Sequence, residues 1–360
     1  MLASGNSKNV KSVTGIMEQE QRSLFSHKAP VLESFHLKVK VIDRYSHSRA
    51  CDDIDIGVWT GIAFERHVRE LVLELCSERS VRFPTSMFSF STTLETLILK
   101  YSVLVDVPSP VCMKSLRTLH LDSVDFKDSK SIRNLISGCP NLEDLFIYQC
   151  YRKDVVLTFT IVAPFLKRLV ITDYFVGSEK GGYVITALSL KYLTLKGVSH
   201  YGCCLIENAP MLVEAIIRKV SYIANENIEG SLTSVKRPLL DLSPLEIKFP
   251  TDSIFYQLVH LKMYTRKEEW WNLLTLMFNS SPKLQFLKLT DEKRKFRKHG
   301  LVGGKWNEPK NVPECLVSHL KMFVWTRYRW EREEEKEVAT YILKNARQLK
   351  NASFSTRPID

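Results

Sequence analysis

Gly138-Cys-Pro-Asn-Leu142-Glu-Asp-Leu145-Phe-Ile147-Tyr-Gln-Cys150 is the stretch from which the rest of the chain can be read. Leu142, Leu145 and Ile147 stand at 0, +3 and +5 and Cys150 at +8, the pattern L-x-x-L-x-L-x-x-(N/C). Apolar residues two apart have the period of a half-buried strand. Pro140 ends the element before it, and Ile132, Leu135 and Ile136 ahead of that proline have helical spacing. One such copy arises easily by chance, so its weight lies in recurrence.

The pattern recurs through nearly all of the chain. Leu32, Val68, Leu94, Leu116, Leu166, Leu190, Leu212, Val235, Leu258, Leu284 and Leu320 are anchors equivalent to Leu142. Successive anchors lie 36, 26, 22, 26, 24, 24, 22, 23, 23, 26 and 36 residues apart, and all but the first and last intervals fit the period of a leucine-rich repeat. The long intervals hold extra material, a helical segment over 52–65 and a loop over 293–313. Pro30, Pro140, Pro164, Pro210 and Pro282 each precede an anchor by two residues, where proline is expected to hold the chain extended. Helix, proline break, short strand is therefore the expected unit. Copies are imperfect: Pro238 and Ala215 take the place of the +3 leucine. The spacing predicts an α/β solenoid over 23–290, a curved parallel sheet with helices or irregular segments outside.

With +3 and +5 in the core, strand alternation turns +2, +4 and +6 to the concave face. These columns carry an apolar centre stripe beside charged and aromatic residues. Asp144, Phe146, Tyr148, Arg168, Val170, Tyr192, Tyr264 and Phe286 are the candidate partner-binding residues. Two readings compete: the apolar residues serve strand propensity or are covered by the chain itself, or they form a recognition surface. At +8, Cys76 and Cys150 are expected to be inert thiols in the repeat turn.

A net charge of +11 invites a nucleic-acid reading. The basic residues are spread along the chain, however, and the one dense cluster is Lys293-Arg-Lys-Phe-Arg-Lys298 in a 291–304 loop, expected to be a solvated loop. A basic nuclear or nucleic-acid-associated protein using that cluster is the alternative reading. No apolar run is long enough to span a bilayer, and residues 1–22 are polar, without an apolar leader core, so an intracellular location, cytoplasm or nucleus, is expected and no membrane partner. That tail is expected to be disordered. The 8 cysteines include no C-x-x-C pair, and Gly300-Leu-Val-Gly-Gly-Lys305-Trp misses the phosphate-loop spacing and its Ser or Thr. No catalytic set, metal or cofactor is nominated.

The C-terminal segment closes the array. Leu320–Trp325 reads as a strand and 331–347 as a helix, acidic at its start, with Lys344 and Arg347 at its end and Val338, Ile342 and Ala346 on one face. Leu349, Ala352 and Phe354 repeat the 0, +3, +5 spacing. Trp306-Asn-Glu-Pro-Lys-Asn-Val-Pro-Glu-Cys-Leu316, His319-Leu-Lys-Met-Phe-Val-Trp325 and Glu334-Glu-Lys-Glu-Val-Ala-Thr-Tyr-Ile-Leu-Lys-Asn-Ala346 resemble the FBD domain of plant F-box proteins, here 305–360. Leu24-Phe-Ser-His-Lys-Ala-Pro-Val-Leu-Glu-Ser34, Val68-Arg-Glu-Leu-Val-Leu73 and Phe255-Tyr-Gln-Leu-Val-His-Leu261 are similar to the repeats of that family. The resemblance implies the target-recruiting subunit of a cullin-based ubiquitin ligase, whose repeats hold a protein target and whose F-box docks a Skp-type adaptor. Residues 1–22 carry no F-box pattern, so a non-enzymatic scaffold that binds an unknown protein target, without that adaptor, is expected. Arg327-Tyr-Arg-Trp330 stands where the family commonly has glycines, which predicts a strained or differently built turn.

Overall fold

The computed structural model describes residues 32–40, 56–77, 80–84, 92–109, 111–149, 158–173, 182–197, 203–218, 235–241, 255–265, 270–291 and 306–357. The tail 1–22, Pro30, Cys150 and the basic run Lys293–Lys298 lie outside the described residues.

Every anchor leads into a strand. Those strands are β1 (Ser34–Lys40), β2 (Glu70–Cys76), β4 (Thr96–Tyr101), β6 (Thr118–Asp122), β8 (Asp144–Gln149), β10 (Arg168–Asp173), β12 (Tyr192–Lys196), β14 (Glu214–Arg218), β15 (Arg237–Asp241), β16 (His260–Tyr264), β17 (Phe286–Thr290) and β18 (Met322–Thr326). With β19 (Asn351–Ser355) they form one sheet of 13 strands in chain order, parallel throughout. The sequence columns are the pairing register: Phe146 lies opposite His120 on one side and Val170 on the other, and Tyr192 opposite Arg168 and Glu214. Each step is set by two amides converging on one carbonyl, as when Glu143 and Asp144 both donate to the Arg117 oxygen at 2.8 and 2.9 Å. Leu145 and Ile147 are fully buried, as are their counterparts in β2, β4, β6, β10 and β17. Burying an aliphatic side chain contributes roughly 1.5–3 kcal/mol, so the repeated pair is what fixes the register. Pro238 keeps its place opposite Ala215, and β15 then meets β16 at only Leu239–Lys262 and Leu240–Met263.

The proline position differs from expectation. Leu142 donates its amide to the Cys139 carbonyl at 3.1 Å, Leu166 to Ala163 at 3.2 Å, Leu212 to Ala209 at 3.3 Å and Leu284 to Ser281 at 3.2 Å. Pro140, Pro164, Pro210 and Pro282 thus sit second in a four-residue turn, not in an extended segment. A ring that holds φ near about −65° suits that place and pre-forms the entry to the strand.

The outer layer also differs. Among the described residues, helices stand there in some repeats: α1 (Ile56–Glu65), α2 (Ser129–Ser137), α3 (Trp270–Ser280), α4 (Glu314–Ser318) and α5 (Glu333–Asn345). The return path also forms two further three-stranded parallel sheets, one of β3 (Val81–Arg82), β5 (Val103–Val105) and β7 (Asp125–Phe126), the other of β9 (Thr158–Val162), β11 (Gly182–Thr186) and β13 (Cys203–Asn208). Thr158-Phe-Thr-Ile-Val and Gly182-Tyr-Val-Ile-Thr are too short for a helix and rich in β-branched and aromatic residues. Phe159 stacks on Tyr183 at 5.1 Å and meets Phe126 edge-on at 5.7 Å, welding the outer strands to one another. Helix α2 starts at Asp128, whose carboxylate accepts from the Ser131 amide at 2.7 Å, and ends at Gly138. A β-carbon on Gly138 would collide with the Val111 carbonyl and side chain, so the opening stretch requires glycine there.

The C-terminal end is aromatic. Trp325, wholly buried, meets Trp270 edge-on at 5.6 Å and Tyr328 at 4.9 Å, while Phe323 meets Phe354 at 5.4 Å. Val338 and Ile342 of α5 are buried and Ala346 lies beside them. Asp291, at the end of β17, holds Arg329 at 3.0 Å and Arg332 at 3.6 Å, and Arg332 reaches Glu335 of α5 at 2.9 Å. Arg327 adopts φ 58°, the left-handed region, which is the strain that its sequence context predicts. Tyr101, Ser123 and Gly197 occupy the same +7 place in their rungs with φ 65°, 54° and 75°. Four rungs therefore leave the strand by one left-handed turn, built with or without glycine.

Candidate functional site

In the described strands the residues at the first, third and fifth places face away from the core and are mostly half-exposed. Asp144, Phe146 and Tyr148 come from β8, Arg168 and Val170 from β10 and Tyr192 from β12, so six of the eight candidates form one continuous patch on three adjacent strands. Tyr264 of β16 and Phe286 of β17 lie on neighbouring strands but are parted from that patch by β14 and β15, roughly 14 Å at about 4.8 Å per step. The candidates are thus two patches.

Within the first patch His120 lies between two rings, 5.4 Å from Phe146 and 5.1 Å from Tyr148. Burial pushes its imidazole below the ordinary histidine value, with Asp122 opposing and Lys100 adding to the shift. Arg168 pairs with Asp144 at 3.3 Å and lies over the Tyr192 ring at 5.5 Å. In the second patch Arg218 covers Tyr264 at 4.7 Å, and His260 sits 5.4 Å from Phe286. Burial lowers His260 as well, and Arg237 and Lys262 lower it further.

Charge divides the face in two. At the outward positions of each rung, counting the residue before the strand and its first, third and fifth residues, β1 to β10 carry 6 cations and 7 acids, and β12 to β19 carry 9 cations and 2 acids. In the first half the charges alternate between strands. Glu143 takes Arg117 at 2.5 Å and Lys167 at 2.6 Å, His36 meets Glu70 at 2.7 Å, Lys38 meets Glu74, and Arg69 reaches Glu95 at 3.7 Å. The Lys167 hydrogen bond, with Arg117 behind it, holds the Glu143 carboxyl below the usual carboxylate range. In the second half like charges become neighbours, as with Lys262 opposite Lys288. Basic residues that are spread along the sequence are gathered on one surface by the register.

Sequence reasoning passed over an exposed apolar row. Phe165, Leu188, Met211 and Tyr256 are 57%, 48%, 56% and 58% exposed. Each stands one or two residues before its anchor, so they mark the rim of rungs β10, β12, β14 and β16. The signal was present: large apolar residues occupy a turn position that Asn141 and Lys283 fill in other repeats. At +8 of its rung Ser102 donates its hydroxyl to the Ser77 carbonyl at 2.7 Å, while Cys76, at the same place in the rung before, is a half-buried free thiol. Among the described residues no three of His, Cys, Asp or Glu gather to hold a metal, and no described helix is long and apolar enough to cross a membrane. What the arrangement offers is surface: aromatic rings, cations and short acid–base ladders on a rigid sheet.

Comparison with known proteins matches both parts of this architecture. The family model FBD matches residues 308–354, and the model described as "FBD-associated F-box protein At5g56370, LRR repeats" matches 56–242. The Arabidopsis thaliana F-box/FBD/LRR-repeat protein At3g52680 is 57% identical over 344 residues, covering 94% of this chain and 73% of that protein. F-box/FBD/LRR-repeat protein At4g00160 of the same plant is 56% identical over 342 residues, with the same two coverages. FBD-associated F-box protein At3g52670, also from Arabidopsis thaliana, is 50% identical over 340 residues, 94% of this chain and 75% of that one. No solved structure matches the chain. A single parallel ladder of leucine-rich rungs, closed by the FBD segment and shared over nearly its whole length with these relatives, makes this chain a member of the F-box/FBD/LRR-repeat family.

Proposed function

We propose that this chain is the target-recognition part of a ubiquitin-ligase substrate adaptor, a non-enzymatic scaffold that works in the cytoplasm or nucleus and holds a protein target on its concave sheet. In this reading residues 23–290 present the target and 305–360 close the ladder. The observation that carries it is the continuous patch of Asp144, Phe146, Tyr148, Arg168, Val170 and Tyr192, six outward side chains in register on β8, β10 and β12. Rigid rings beside charged groups give contact area at little entropic cost, which is what protein recognition hot spots use.

A photo-crosslinking benzoylphenylalanine at position 148 is expected to give one discrete adduct in a plant extract, and Phe146→Ala is expected to abolish it. The same probe at Arg133, on outer helix α2, is expected to give none. Equal labelling from both places overturns the assignment of the concave face. Residues 1–360 are expected to hold the target without retaining a Skp-type adaptor; adaptor retention that survives deletion of residues 1–22 overturns that part.

A further inference from the structure

The charge division of the concave face points to the kind of target, and this inference rests on the reading of that face as the target surface. From β12 onward the outward positions carry an excess of 7 positive charges, against an excess of 1 negative charge from β1 to β10, in a chain whose net charge is +11. Lys191, Lys236, Arg237 and Lys262 are exposed and Lys196 half-exposed, so these cations are presented to solvent. His260, lying among them, has its proton affinity lowered by Arg237 and Lys262 in addition to burial, so the local field is cationic. The exposed apolar row runs beside it: Phe165 is two residues from Lys167, Met211 lies in the rung after Lys191, and Tyr256 in the rung after Lys236. Like charges held in neighbouring rungs repel one another, and a partner that neutralises them gains what the free protein loses.

We infer that the C-terminal half of the concave sheet, from β12 to β18, docks an acidic segment of a partner protein, its carboxylates on the lysine-rich columns and its apolar side chains on the Phe165–Tyr256 rim. A nucleic acid fits less well. Bases need open ring faces to stack on, and here Arg168 lies over one face of Tyr192, Arg218 lies over one face of Tyr264, and His260 sits against Phe286. An anionic membrane fits less well too, because cations on the inner side of a curved sheet cannot lie together on a plane.

The test measures binding of the full chain to a fluorescein-labelled glutamate–leucine copolymer peptide, to poly-glutamate, to a single-stranded oligonucleotide and to phosphatidylserine vesicles. The mixed peptide is expected to bind most tightly, and Lys236→Glu/Lys262→Glu to weaken it by roughly 10-fold or more, since each tenfold is only about 1.4 kcal/mol. Lys236→Gln/Lys262→Gln is expected to lose part of that affinity, and Lys38→Glu on β1 none. Met211→Ser/Phe165→Ser is expected to weaken the mixed peptide while leaving poly-glutamate unchanged. Thermal melts identify any variant that fails to fold, and the glutamine pair then carries the decision. Equal binding by the wild type and both lysine pairs overturns the inference, as does an oligonucleotide or vesicle that binds more tightly than the peptide and displaces it. If no peptide binds while the crosslink from position 148 persists, the acidic target is wrong and the concave-face reading stands. If both are lost, the underlying reading falls.

Discussion

The two halves of the concave face share one backbone and differ in how charge is arranged on it. From β1 to β10 most acids find a base in an adjacent strand, as Glu143 does between Arg117 and Lys167. From β12 to β19 the charged residues of the same columns are mostly lysine and arginine, 9 against 2 acids. A repeat protein can do this because its core asks only for apolar residues at 0, +3 and +5. The outward columns are free of that demand, so one half can be self-neutralised and the other left to complement a second molecule. On the proposed function, fold and recognition are written in interleaved residues of the same strands.

If the core is common to both halves, matched truncations should cost the same. Leu145→Ala in β8 and Leu287→Ala in β17, both fully buried, are each expected to lose about 3 kcal/mol in urea unfolding. A large inequality would show that the halves differ in packing as well as in charge.

The strand-leaving turn comes next in size. Gly197→Ala, at φ 75°, is expected to cost about 1 kcal/mol, and Arg327→Gly, at φ 58°, to add a little under 1 kcal/mol, read as opposite shifts in melting temperature. If Arg327→Gly instead destabilises, contacts of the arginine outweigh its backbone strain.

Charge reversal separates the halves directly. Glu143→Lys is expected to lower the melting temperature, more at low salt than at high, because it sets three cations side by side. Lys262→Glu is expected to leave it unchanged or raise it, because it places an acid opposite Lys288. Effects of equal sign from the two would remove the distinction.

The smallest effect is a titration. His120 and His260 both bind protons less readily than free histidine, so the neutral form is the one that the fold favours. Their contribution to stability is full above the unfolded value of about 6.5 and declines as pH falls below it toward the depressed folded value. Lys262→Gln should move His260 upward in an NMR titration, and Asp122→Asn should move His120 further down. A His260 indifferent to Lys262 would show that the cationic field does not reach it.

The ladder itself was legible from sequence because its signal is repetition. The +4 column, read from leucine spacing alone, puts Phe146 between His120 and Val170, and those are its register partners. The outer strands were not legible: Thr158–Val162 and Gly182–Thr186 are short β-branched runs with no fixed distance from an anchor, and nothing local says that they will pair with one another. The proline turn was misread because an isolated proline favours both extended and turn geometry, and only the hydrogen bond across it decides. The charge division lay in the columns, but net charge hides it. Arg117 and Lys262 count alike in a sum, and only register shows that one is answered by Glu143 while the other adjoins Lys288.

A parallel sheet must also end somewhere, and β19 determines how. Its residues, Asn351-Ala-Ser-Phe-Ser355, include no β-branched side chain, and the first three are exposed. Behind it stands β18, Met322-Phe-Val-Trp-Thr326, a segment that would invite another chain to pair with its open backbone. The last rung thus acts as a terminator: it spends five weakly sheet-forming residues so that a structure built by adding strands does not go on adding them from its neighbours.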